Sequence, residues 1–154
     1  MYKKILYPTD FSENAEIAYE YVKKLKEAGT EEVVITHIIE DRKINEYWDV
    51  QMQINGGKPG KAKEHAVKKI LGKVYDQLKA KEKELQEMGL KASILVEQAE
   101  VASRQICKAA EQMNASLIVL GYTGTSPLHG FFMGSTVRHV VELSPVSVLV
   151  VKKK

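Results

Sequence analysis

Five short apolar segments, rich in β-branched residues, alternate along the chain with segments whose apolar residues recur at helical spacing. The five segments are residues 4–7, 32–39, 91–96, 116–120 and 146–151. Several are continuously apolar, which is typical of strands that are covered on both faces of a parallel sheet. Strands that alternate with helices imply right-handed crossovers. The sequence therefore predicts an α/β fold with a three-layer, doubly wound, five-stranded parallel sheet.

Residues that start or stop helices divide the intervening segments. The first helix begins after Ser12, which is a good N-cap, and stops at Gly29. The second helix ends at Gly89 and the third at Asn114. A short fourth helix runs from Ser135 to about residue 143.

Residues 41–63 fit this pattern least well. They contain the sequence Asn55-Gly56-Gly57-Lys58-Pro59-Gly60 and several charges, so we predict a long flexible connection with one helical turn around residues 44–52. Because it follows the carboxyl end of a strand, this connection is a candidate lid or partner surface. A disordered insertion explains the same composition equally well.

Composition restricts the class of protein. A chain of 154 residues fits a single domain spanning residues 1–154, and a net charge of +3 does not favour a nucleic-acid partner. The single cysteine, Cys107, rules out an intramolecular disulfide and a cysteine metal cluster. No signal-peptide h-region and no run of 18 apolar residues is present, so we expect a cytoplasmic protein without a membrane partner.

The first candidate site segment is Pro8-Thr9-Asp10, directly after the first predicted strand. In an open parallel sheet, ligands bind outside the carboxyl ends of the strands, where the strand order reverses. The Asp10 carboxylate can accept hydrogen bonds from ribose hydroxyls or from a base amino group. Stabilisation of the following helix N-terminus is the alternative, and this segment alone favours it. His37, near the end of the second strand, is interpreted as a structural histidine.

The second candidate segment, residues 121–135, joins the fourth strand to a helix and contains four glycines and five hydroxyl side chains. Glycines let the backbone approach a ligand, and amides at a helix start bind anions. The segment lacks the Gly-Lys-Ser/Thr ending of a P-loop and is not a Gly-x-Gly-x-x-Gly fingerprint. This composition favours a phosphate site over a purely structural turn.

The glycines and the following hydroxyl form the pattern Gly121-x2-Gly124-x9-Gly134-Ser135. This pattern resembles the signature of the ATP-binding members of the universal stress protein family. The resemblance extends to residues 4–12, 34–38 and 144–151, so it spans nearly the whole chain.

This resemblance implies an adenine nucleotide alpha hydrolase-like fold with strand order 3-2-1-4-5, and it implies ATP as the ligand, with Mg²⁺ or Mn²⁺ on the phosphates. The implied site residues run from the base to the phosphates. Pro8 and Thr9 shape the pocket, Asp10 contacts ribose or adenine, Ile38 lies near adenine, Leu120 and Gly121 flank the nucleoside, Thr123 and Gly124 approach the phosphates, and Gly134, Ser135 and Thr136 hold them.

One position departs from the family pattern. Thr123 stands where many members carry a basic or imidazole side chain just before the second glycine. A hydroxyl group can bond a phosphate oxygen but supplies no charge. His129 and Arg138 are candidates to compensate for the missing charge.

The last predicted strand is apolar and lies at the sheet edge in this fold, where it invites pairing with another chain. We expect a homodimer through Val146–Val151, as the family usually forms. Three functions remain open: an ATP-dependent regulator or switch in stress response that acts on an unidentified protein partner, a slow or partner-dependent ATPase, and a dimeric interaction protein without nucleotide. No catalytic residue is assigned, because neither a P-loop lysine nor a base is evident.

Overall fold

A computed structural model of the chain describes residues 1–54, 61–123 and 133–153, and these ranges contain strands and helices in alternation. The strands are β1 (Lys4–Pro8), β2 (Glu32–Glu40), β3 (Lys91–Ala99), β4 (Leu117–Gly121) and β5 (Ser147–Val151). The helices are α1 (Glu13–Lys24), α2 (Asp41–Ile54), α3 (Lys61–Glu87), α4 (Ala102–Gln112) and α5 (Ser135–Leu143).

All five strands form one parallel sheet in the order β3-β2-β1-β4-β5, so the predicted fold class and strand order are confirmed. Ile5 lies opposite Val33 on one side and Leu117 on the other, which places β1 in the middle of the sheet. The chain moves outward from β1 to β2 and β3, then returns to β4 and β5 on the other side. The order therefore reverses at the carboxyl ends of β1 and β4, where a ligand site is expected.

Side chains that alternate along the central strands build two separate cores. Ile5 and Tyr7 of β1 pack towards α1 and α3, whereas Leu6 packs on the other face, towards α4 and α5. All three are completely buried. The sheet is thus covered on both faces, as its continuous apolar runs predicted.

Four of the predicted helix boundaries have a local cause. The Ser12 hydroxyl accepts a hydrogen bond from the Ala15 amide at 3.2 Å, which caps α1. Gly29, Gly89 and Asn114 all have left-handed backbone, with φ of 95°, 85° and 52°, in the turns that follow α1, α3 and α4.

The prediction of a flexible connection over residues 41–63 is wrong for most of its length. Residues 41–54 form α2, far more than a single helical turn, and α3 begins at Lys61. Ile44 is buried, an ion pair of 3.1 Å joins Arg42 to Glu46 one turn later, and the Gln98 side chain donates a hydrogen bond of 2.6 Å to Asp41. These contacts fix the first turns of α2. The predicted glycine-rich run at residues 55–60 lies outside the described residues.

None of the described helices has both the length and the apolar character that crossing a membrane requires.

Candidate functional site

A cavity of about 650 Å³ opens at the carboxyl ends of β1, β2 and β4. This volume lies in the range of small-molecule sites. Ten of the residues predicted as site residues line it: Pro8, Thr9, Asp10, Ile38, Leu120, Gly121, Thr123, Gly134, Ser135 and Thr136. The eleventh, Gly124, lies outside the described residues, as does His129. The structure thus brings the two candidate segments, about 110 residues apart in the sequence, and Ile38 of β2 to one cavity.

The turn after β1 is fixed by hydrogen bonds within its own residues. The Thr9 hydroxyl accepts from the Phe11 amide at 3.1 Å, and Asp10 Oδ1 accepts from the Ser12 amide at 3.0 Å. Phe11 has a positive φ of 60°, which is uncommon for a residue with a side chain. Asp10 therefore stabilises the turn that leads to the N-cap of α1, and it also lines the cavity.

His37 supports this turn from the neighbouring strand. Its Nδ1 lies 2.7 Å from the Thr9 carbonyl oxygen, and because a carbonyl only accepts, Nδ1 carries the proton. The Phe11 ring packs against the imidazole, with ring centroids 5.0 Å apart. Burial lowers the pKa of His37, the bond to Thr9 opposes this shift, and the charge of Lys43 adds to it. These contacts fit the interpretation of His37 as a structural histidine.

The lowered pKa of His37 predicts a pH-dependent stability. Above the ordinary value of 6.5 the imidazole is neutral in both states and its contribution is complete. Below that pH, His37 becomes protonated in the unfolded chain but stays neutral in the native state. The free energy of unfolding therefore falls with pH until the native pKa is reached. Urea denaturation at about pH 8 and about pH 5 checks this. We expect His37→Gln, which keeps an amide donor, to lose less stability between the two pH values than the wild type; an equal loss in both proteins would contradict the assignment.

Hydrogen bonds of the backbone join the two ends of the segment between β4 and α5. The Gly134 amide donates to the Tyr122 carbonyl at 3.1 Å, and the Tyr122 amide donates to the Val151 carbonyl at 2.8 Å. Tyr122 is thereby joined both to the end of β5 and to the residue that precedes α5. Thr123 and Ser135, the residues that follow Tyr122 and Gly134, both line the cavity.

The first turn of α5 has the properties of an anion site. Gly134 is its N-cap and provides no side-chain cap, and the first turn contains no acidic residue. The first amides of a helix have no partner within the helix and carry the positive end of its dipole. Ser135 and Thr136, whose amides belong to this turn, line the cavity together with Gly134. Amides and hydroxyls here can bind phosphate oxygens.

A second helix also starts at the cavity. Val101, the N-cap of α4, makes no side-chain cap, and its first turn also lacks acidic residues. Ala102 and Ile106 of α4 line the cavity and give it an apolar wall. Sequence reasoning missed these two residues, because small and aliphatic side chains on a helix have no distinctive pattern.

Three cationic side chains line the cavity, and sequence analysis missed two of them. Arg42 and Lys43 of α2 line it, as does Arg138 of α5, against the carboxylates of Asp10 and Glu40. The Arg42 side chain is 73% exposed and forms an ion pair with Glu46. Arg42 and Lys43 were missed because their segment was interpreted as a loop. Arg138 was named as a candidate to supply charge, and the structure places it at the cavity.

Comparison with known proteins identifies the family to which this chain belongs. The sequence model of the universal stress protein family matches residues 1–152. The chain belongs to this family.

Relatives match over nearly their full length. The universal stress protein MJ0577 of Methanocaldococcus jannaschii is 35% identical over 158 residues, which cover 100% of this chain and 97% of that protein. The solved structure of MJ0577 superposes with a TM-score of 0.82 at 33% identity, covering 100% of this chain and 98% of that one. The structure of the protein PH0823 gives a TM-score of 0.74 at 29% identity, covering 99% and 98% of the two chains.

In this universal stress protein, the described residues include no group of three His, Cys, Asp or Glu side chains that could hold a metal ion. Hydroxyls and amides dominate the α5 side of the cavity instead. That donor set suits an anion.

Proposed function

We propose that this universal stress protein binds ATP in the cavity and acts in the cytoplasm as a nucleotide-dependent regulator, or molecular switch, in stress response. One observation carries the proposal: the uncapped first turn of α5 opens on the same cavity as Asp10. A phosphate site and a hydrogen-bond acceptor for ribose or adenine thus lie in one space. The cavity volume of about 650 Å³ suits a nucleotide.

The proposed orientation follows from the chemistry of the walls. The base lies between Ile38 and the α4 residues Ala102 and Ile106, whose apolar surfaces suit a flat ring. Asp10 contacts ribose or adenine, and Leu120 and Gly121 flank the nucleoside. Gly134, Ser135 and Thr136 bind the phosphates, with Thr123 and Gly124 beside them. Mg²⁺ or Mn²⁺ accompanies the triphosphate as a counterion.

Other members of the family are known with adenine nucleotides. Solved structures of two universal stress proteins are complexes with cAMP and with dAMP. At 16% and 13% identity they share only the fold with this chain. They support the proposal to the extent that proteins of this fold take up adenine nucleotides.

Isothermal titration calorimetry with adenosine, AMP, ADP and ATP tests the proposal. We expect affinity to rise with each phosphate, by about tenfold between AMP and ATP, because the α5 amides and three cavity cations favour negative charge. High salt should weaken ATP binding and leave adenosine binding unchanged. An absence of binding by all four compounds would refute nucleotide binding.

Phosphate release in the same samples distinguishes a switch from an ATPase, and rapid turnover by the protein alone would contradict the regulator assignment.

The edge of the sheet supports a second proposal, a homodimer through Val146–Val151. Strand β5 pairs with β4 along one side and is the last strand in the sheet order. Val148, Leu149 and Val150 are only partly buried within one chain. A second copy pairing along this edge would cover them. Sedimentation equilibrium is expected to give twice the chain mass of 17.3 kDa, and a monomer at all concentrations would contradict this.

A further inference from the structure

A hydrogen bond between distant parts of the sequence joins α1 to the cavity. Asn14, in the first turn of α1, donates from Nδ2 to the Thr123 hydroxyl oxygen at 2.5 Å. Thr123 follows β4 and lines the cavity, whereas Asn14 is absent from the lining. The bond is partly buried. The Asn14 side chain is therefore connected to the cavity through Thr123.

The direction of this hydrogen bond determines whether the Thr123 hydroxyl can donate a hydrogen bond to a ligand. An amide nitrogen only donates, so the Thr123 oxygen is the acceptor in this pair. A hydroxyl group also has one hydrogen of its own to donate. With its oxygen engaged by Asn14, the hydroxyl directs that hydrogen to another acceptor, and the cavity is the space that Thr123 lines.

The backbone around this pair is held on both sides. The Gly121 backbone packs so closely on α1 that a Cβ there would lie 2.5 Å from the carbonyl carbon and oxygen of Asn14. The bond from Gly134 to Tyr122 holds the other side. Thr123 is therefore positioned between α1 and the first turn of α5, next to the proposed phosphate site.

We propose that Asn14 is a positioning residue that makes the Thr123 hydroxyl a hydrogen-bond donor to a phosphate oxygen of the bound nucleotide. The proposal rests on the proposed nucleotide function and adds a residue outside the cavity to it. It also explains how an uncharged side chain at residue 123 contributes to phosphate binding: a hydroxyl that is already an acceptor towards Asn14 presents its donor to an anion.

Calorimetry with ATP and adenosine on Thr123→Val, Thr123→Ser, Asn14→Ala and the double variant N14A/T123V tests this. Thr123→Val keeps the side-chain shape and removes the hydroxyl, so ATP affinity should fall about tenfold. Asn14→Ala should lower it by about fivefold, because the hydroxyl is no longer oriented. Thr123→Ser, the matched control, keeps the hydroxyl and should recover most of the ATP affinity that Thr123→Val loses. Adenosine affinity should be unchanged in all four variants.

The double variant gives the decisive comparison. If Asn14 acts through Thr123, N14A/T123V should bind ATP no more weakly than Thr123→Val alone. Losses that multiply in the double variant would overturn the proposal, and so would adenosine affinity that falls in parallel with ATP affinity. If the wild type binds ATP and both Thr123→Val and Asn14→Ala bind it equally well, this inference would be overturned and the proposed nucleotide function would stand. A wild-type protein that binds neither compound would overturn the proposed function and this inference together.

Discussion

Gly134→Asp is expected to lower the affinity for ATP by at least about a hundredfold. The variant should remain as stable as the wild type. Gly134 has φ of −59° and ψ of 146°, a conformation open to any residue, so the substitution adds no backbone strain. An aspartate at this N-cap accepts hydrogen bonds from the first amides of α5. Its carboxylate thereby occupies the position proposed for a phosphate and repels the triphosphate.

The neutral variant Gly134→Asn separates charge from shape. Asparagine caps a helix about as well as aspartate but has no charge, so it should lower ATP affinity by about tenfold through occupancy alone. Calorimetry gives the affinities, and thermal unfolding gives the stabilities of both variants. If Gly134→Asp bound ATP like the wild type, the phosphates could not lie at the start of α5. If it unfolded, the expected capping effect would be wrong.

Gly121→Ala is expected to cost about 3 kcal/mol of unfolding free energy or more. A Cβ at this position would lie 2.5 Å from the carbonyl carbon and oxygen of Asn14 and 2.9 Å from the Ala15 nitrogen. All three are backbone atoms at the start of α1, so no side-chain rotation can relieve the contact. The helix would have to move away from β4.

Gly72→Ala is the matched control for this substitution. Gly72 lies within α3, and a Cβ there would meet no atom within 4 Å. Because alanine favours a helix over glycine, this change should stabilise the protein by up to about 1 kcal/mol. Urea denaturation of both variants gives the comparison. Equal stability of Gly121→Ala and the wild type would show that α1 does not approach β4 as closely as the structure has it.

The sheet was predictable because its signal is local. Each strand contains a short apolar run, and several helix boundaries are set by a residue such as Ser12 or Gly89 within the same segment. The site segments were predictable for a related reason: residues that follow parallel strands meet at one edge of the sheet. The strand order itself came from the family resemblance.

Features that depend on distant contacts were not predictable. Helix α2 was predicted only as one helical turn around residues 44–52, because charged and polar residues surround Ile44 at its start and a glycine-rich run follows it. Arg42 and Lys43 could be placed at the cavity only once α2 was known to be a helix. The family resemblance implied that Gly121 flanks the nucleoside, whereas its lack of a side chain is also required by α1. The bond from Asn14 to Thr123, across 109 residues, has no sequence signature.

A crystal structure of the protein with ATP and Mg²⁺ tests the central claim most directly, because that claim concerns position. We expect the triphosphate against the amides and hydroxyls of Ser135 and Thr136, with the ribose beside Asp10 and the base beside Ile38. ATP bound at another surface, or a cavity that stays empty at saturating ATP, would contradict the assignment.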